Sequence, residues 1–186
     1  MIFVKSTQEM YEEDSQLFTH DLASYVALTD YHAISVLPDD PTKHIGTARL
    51  EGCLYVVSLI ETMDQIRRIG HGHYASISLL MESYKKDYPC SDRMNELCTL
   101  TKGDYDIRKA STLVFSSDPV RDSTLFKMAL QNEAKLVLGS SEIRFLPYNN
   151  DDFDFCQITI PNHAAGKPSY RTGISEGTIG WEIIKQ

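Results

Sequence analysis

Residues 45–74, IGTARLEGCLYVVSLIETMDQIRRIGHGHY, constrain the fold of this chain more than any other stretch. Leu54 to Ile60 is a run of the β-branched and aromatic residues that fit a pleated, half-buried surface. A polar turn at Glu61 to Gln65 follows. Ile66 to Tyr74 is then a second extended run, in which Ile69, His71 and His73 share one face by the period of two. Short links predict antiparallel hairpins, both here and between these runs and a preceding strand at Ile45 to Leu50. Such pairing carries a histidine to the neighbourhood of Cys53, which sits at the mouth of the second strand.

The rest of the chain reads as scaffold. Ser6 is a helix N-cap ahead of an acidic stretch, Gln8 to Leu28, with an incomplete apolar stripe. Tyr31 to Leu37 predicts a strand, and Pro38-Asp39-Asp40-Pro41 a turn. Helices are expected from about Ser76 to Asp87, over Met94 to Leu100 and over Asp122 to Ala134. Short strands are expected at Ser111 to Phe115, Lys135 to Leu138, Ile143 to Leu146 and Phe153 to Ile160. Pro161 to Gly180 reads as loop, before an apolar anchor at Trp181 to Ile184. The sum predicts a single α/β (α+β) domain over residues 1–186, with a mostly antiparallel, sandwich-like sheet core and helices packed outside.

Charge limits the partners. With 18 Lys and Arg against 26 Asp and Glu, the net charge is -8. That balance argues against duplex nucleic acid and against an anionic membrane surface, leaving small molecules and proteins. No leader segment or bilayer-spanning apolar run is evident, so a reducing compartment is expected, either the cytoplasm or a host cell reached by a signal-peptide-independent route. A monomer is expected. The four cysteines, Cys53, Cys90, Cys98 and Cys156, show no CxxC spacing and so suggest neither a zinc ribbon nor a thioredoxin-type site. No carboxylate or cysteine supports His71 and His73 at a metal-ligand spacing, and no cofactor or metal is expected.

Cys53 is the candidate nucleophile. A thiol attacks a carboxamide as thiolate, and its ordinary pKa must be lowered for this to be efficient at neutral pH. His73 is placed to act as the base, with His71 its rival. Gly52 has no side chain, so a substrate can approach closely, and the backbone amides of Gly52 and Cys53 are candidate oxyanion donors. Thr47, six positions earlier, offers an oxygen to hold an imidazole in one tautomer. A free cysteine before a strand is more often inert packing, and Cys53 taken alone fits that reading too.

The run Thr47-Ala48-Arg49-Leu50-Glu51-Gly52-Cys53, followed by a strand, a turn and a strand ending Ile69-Gly70-His71-Gly72-His73-Tyr74, resembles the CheD chemoreceptor glutamine deamidases. It is also similar to the catalytic domains of the cytotoxic necrotizing factors and of Burkholderia lethal factor, in which a cysteine ends an L-S-G-C motif. Here that motif reads Leu50-Glu51-Gly52-Cys53. The resemblance implies a Cys-His enzyme that converts a glutamine side chain of a target protein to glutamate with release of ammonia. Cys53 then maps to the nucleophile, Thr47 to the orienting residue and His73 to the base. The glycine-rich segment near the end of CheD proteins has no counterpart in Ser140 to Asp154, which favours a toxin or effector over a chemotaxis role. The alternatives are another Cys-His enzyme, such as a peptidase or transglutaminase, and a non-catalytic protein-binding domain. A deamidase acting on a folded protein needs a narrow crevice above Cys53, and the loops Pro38 to His44, Glu61 to Arg67 and the tail near His163 are the expected walls.

Overall fold

The computed structural model describes residues 4–75, 91–129, 143–149 and 154–184. Helix α1 (Thr7–Asp14) starts at a capping box, in which the Ser6 hydroxyl accepts the Glu9 N–H and the Glu9 carboxylate accepts the Ser6 N–H. It does not continue to Leu28. A 3-10 turn covers Ser15–Leu17, and the chain then extends into β1 (Ser24–Tyr25). The acidic sequence has too weak an apolar stripe to sustain a long helix, whereas Phe18, Tyr25 and Ala27 bury together with Ala48 and Phe155.

The chain proceeds through β2 (Tyr31–Val36), β3 (Lys43–Ala48), β4 (Leu54–Thr62) and β5 (Arg67–Tyr74). Helix α2 (Ser91–Lys102), β6 (Ile107–Ser116), α3 (Pro119–Ala129), β7 (Ile143–Pro147) and β8 (Phe155–Ile160) follow. The chain ends with β9 (Ser169–Thr172), β10 (Glu176–Thr178) and β11 (Glu182–Ile183). The helix expected over Ser76 to Asp87 and the strand at Lys135 to Leu138 lie outside the described residues. β9 and β10 correct the loop expected over Pro161 to Gly180: these short strands are held by their pairing with β8 and with each other.

Among the described residues the strands form two sheets, one in the order β1-β3-β8-β9-β10 and the other β11-β6-β4-β5-β2, with β7 also on β6. Pairing is antiparallel except for β1 with β3 and β6 with β7. The sheets face each other across a core that includes Ile45, Val57, Leu59, Ile69, Phe115 and Ile158. On the outer face of the second sheet, Leu97 and Cys98 of α2 pack against Val56, Ile60 and Val114. Gly70 permits that approach, because a Cβ there would lie 1.9 Å from Thr101 Oγ1. This is an α+β fold, mostly antiparallel, with helices outside the sheets.

β4 and β5 form the expected hairpin, with Tyr55 opposite His73. The hairpin expected between β3 and β4 does not form, because the two strands belong to different sheets. Residues 49–53 are instead an arch between the sheets. Arg49 (φ 60°) and Gly52 (φ 71°) turn the chain. Positive φ costs a non-glycine residue on the order of 1 kcal/mol. At Arg49 this is offset by bonds from the guanidinium to Asp14 (3.0 Å) and Glu13 (2.8 Å) at the end of α1. The Leu50 N–H also donates to the Asp154 carbonyl across the arch, at 3.3 Å.

Candidate active site

The arch brings residues from both sheets into one place. Along β4, Tyr55, Val57 and Leu59 face the core between the sheets, and Cys53, two residues before Tyr55, packs at the edge of the same core. On β5, Ile69 faces that core, so His71 and His73 share its side. Ile45 and Thr47 face it from β3, in the opposite sheet. Thr47 Oγ1 consequently lies 2.9 Å from His73 Nδ1, with both residues buried.

The tautomer of His73 follows from the next bond out. Thr47 Oγ1 donates its hydrogen to the Val26 carbonyl at 2.6 Å. With that hydrogen committed, the threonine oxygen accepts from His73 Nδ1–H, and the lone pair of the imidazole resides on Nε2. Nε2 is buried and has no hydrogen-bond partner among the described residues. The backbone fixes the ring further: the His73 N–H donates to Asp30 O at 3.0 Å and the His73 carbonyl accepts the Thr29 N–H at 2.8 Å. Burial lowers the His73 pKa from 6.5 to about 4, with the Asp30 charge opposing the shift.

His71 is placed differently. Its Nε2 is 2.8 Å from Ser24 Oγ and its Nδ1 is 2.9 Å from Tyr55 OH, so both nitrogens are engaged. Burial, helped by neighbouring His32, lowers its pKa to about 3. The ring is a neutral bridge between β1 and β4, with no free nitrogen to offer a thiol.

Cys53 is half-buried, and its thiol donates toward the Glu51 carbonyl at 3.7 Å. The Tyr148 hydroxyl holds the Cys53 carbonyl at 2.7 Å. Apart from its chain neighbours, no described residue stands within 4 Å of the position a Cβ would take at Gly52, so space beside Cys53 is open. Burial raises the Cys53 pKa, and the Glu51 charge adds to the rise. The lowered thiol pKa expected from the sequence is therefore not met. Desolvation, which disfavours either ion, holds the thiol and the imidazole neutral at rest.

The crevice walls expected from the sequence lie elsewhere. Glu61 and Arg67 are at the far end of β4 and β5, roughly 25 Å from Cys53 along the strand. His163 is at that far end too, with Nδ1 3.0 Å from Glu61 Oε2. Asn162 ties the loop at Asp40 to the same place by donating to its carbonyl at 3.0 Å. Beside Cys53 stand instead the arch residues 49–53 and Tyr148, whose hydroxyl bonds the Cys53 carbonyl. Three of the residues that fix the site, Val26, Tyr148 and Asp154, carry no local sequence signal, because each acts through a contact distant in the chain.

Among the described residues, no group of three or more His, Cys, Asp or Glu side chains converges as a metal site. No described helix is long and apolar enough to cross a membrane. No protein-family model matches the chain, and no curated protein matches it in sequence. Among solved structures, the C-terminal domain of CNFy from Yersinia pseudotuberculosis is weakly similar, with a TM-score of 0.34 and 9% identity. The likeness covers 85% of this chain and 61% of that one, so the chain spans about three fifths of that domain's length.

Proposed function

We propose that the chain is a cysteine-dependent protein glutamine deamidase of the toxin or effector kind, with Cys53 as nucleophile, His73 as base and Thr47 as the residue that orients the base. One observation supports this above all: the Val26–Thr47–His73 relay fixes the Nδ1–H tautomer and leaves a buried, unpartnered Nε2 on the face of β5 that Cys53 shares. An imidazole serving only as packing would have both nitrogens satisfied, as His71 has.

The reaction starts from neutral partners. Nε2 of His73 takes the thiol proton as Sγ bonds to the side-chain carbonyl carbon of a glutamine. The carbonyl oxygen becomes an oxyanion, which accepts the N–H of Cys53, a residue just outside the ladder that begins at Leu54. The imidazolium returns its proton to the leaving nitrogen, the C–N bond breaks and ammonia departs. Water, deprotonated by the same Nε2, attacks the thioester, releasing glutamate and restoring the thiol. Thr47 holds the ring throughout and moves no proton.

Mapping of glutamine-to-glutamate conversions by mass spectrometry in a lysate treated with the wild type or with Cys53→Ser tests the reading. Conversions at discrete sites that need Cys53 are expected. Their absence, or cleavage of the target backbone in their place, would overturn it.

A further inference from the structure

Asp154, beside the arch, is a polar group that the mechanism above does not use. Asp154 is buried, and its Oδ1 accepts the N–H groups of Phe155 (2.8 Å) and Gly173 (3.1 Å). Its Oδ2 is also buried but has no hydrogen-bond partner among the described residues. An unsatisfied carboxylate oxygen shielded from water is costly, and such a cost persists where a ligand is to supply the missing donor.

Its location points to the reacting centre. Cys156 pairs with Thr47 across the first sheet and faces the core between the sheets. Asp154 is two residues before Cys156, at the end of the strand nearest the arch, and its carbonyl holds the Leu50 N–H of the arch itself. The Tyr148 hydroxyl bonds the Cys53 carbonyl at the other end of the same arch. The arch is thus held at Leu50 by the backbone of Asp154 and at Cys53 by Tyr148.

We propose that Asp154 is a specificity-determining residue of this site, with Oδ2 accepting an N–H of the carboxamide that Cys53 attacks. The inference rests on the deamidase reading and deepens it. A carboxamide brings two N–H donors where a carboxylate brings none, so Asp154 selects glutamine over glutamate. The same charge repels the newly formed glutamate and promotes its release.

The test uses two alkylating reagents that differ only in this group, iodoacetamide and iodoacetate, on the full chain, with adducts at Cys53 read by peptide mass spectrometry. In the wild type, the preference for iodoacetamide over iodoacetate should exceed that of glutathione by about tenfold, the scale of one partly desolvated charge repulsion. Asp154→Asn, which puts a donor where the acceptor stood, should slow iodoacetamide, speed iodoacetate and bring the ratio to that of glutathione. A wild-type ratio equal to that of glutathione overturns the inference even if the variant does not fold. An unchanged ratio in a folded Asp154→Asn overturns it equally. Failure of the deamidase reading shows separately, as a Cys53 alkylation rate that His73→Ala leaves unaltered.

Discussion

Thr47 Oγ1 and His73 Nδ1 lie 2.9 Å apart although their strands belong to different sheets. Orientation of the His73 ring therefore depends on the packing of one sheet against the other. Thr47→Val keeps the shape and removes the acceptor, leaving a buried Nδ1–H unpaired at a cost of roughly 1–3 kcal/mol. Turnover should fall on the order of ten- to a hundredfold, part of what a positioned base contributes. Thr47→Ser should retain most of both, and steady-state kinetics beside urea unfolding will show whether it does.

His71 and His73 should separate cleanly under substitution. His73→Ala removes the free Nε2 and should cost about a hundredfold or more in activity with the fold retained. His71→Ala strands Ser24 Oγ and Tyr55 OH, and should lower the unfolding free energy by about 2 kcal/mol or more while the folded fraction stays active. Activity normalised to folded protein makes the comparison, and loss confined to His71→Ala would transfer the role of base to His71.

Acid should weaken the fold before most carboxylates titrate. The pKa values of His71 (about 3) and His73 (about 4) lie below the ordinary 6.5, so between these values the unfolded chain binds more protons than the folded one. Their contribution is complete above pH 6.5 and is lost as pH falls toward 4 and then 3, at about 1.4 kcal/mol per pH unit for each ring. His44, lowered mainly by burial, acts in the same direction. Urea midpoints at pH 7 and pH 5 should differ accordingly, and His73→Gln should shrink the difference.

Much of this arrangement is legible in the sequence, and its limits have physical causes. The β4–β5 hairpin is written in period-two patterning around a short polar turn, which is local information. The arch is not: so short a link between two strand runs suggests a hairpin, and what sends β4 into the other sheet is Arg49 at positive φ, bonded to Asp14 thirty-five positions away. Thr47 and Cys53 can be picked out by type and spacing. Val26 enters through a carbonyl, Tyr148 through a hydroxyl ninety-five positions from its acceptor, and Asp154 through an oxygen with no partner among the described residues. The loops expected as crevice walls stand at the other end of the sandwich for a related reason, since loop composition does not tell one end from the other.

Arg49 offers a test of the arch. Arg49→Ala keeps the positive-φ cost and loses the ion pair with the buried Asp14, whereas Arg49→Gly loses the pair but relieves the backbone. The glycine variant should be the more stable of the two by about 1 kcal/mol, as read from chemical unfolding. Both should turn over more slowly than the wild type, because Cys53 is then less firmly placed.

The pairing of Cys53 with His73 is tested most directly by the pH dependence of Cys53 alkylation. Selective labelling of Cys53 is not diagnostic by itself, since Cys98 and Cys156 are fully buried and would lag for that reason. The informative comparison is between the wild type and His73→Ala from pH 5 to pH 8, with iodoacetamide. Transfer of the thiol proton to Nε2 as the sulfur attacks needs only the neutral pair, so its rate does not depend on pH above the His73 pKa of about 4, whereas the path through free thiolate falls tenfold per pH unit. The wild-type rate should therefore level off toward pH 5, while that of His73→Ala should keep falling about tenfold per unit, as an isolated thiol does. A tenfold-per-unit rise in both proteins would contradict the account.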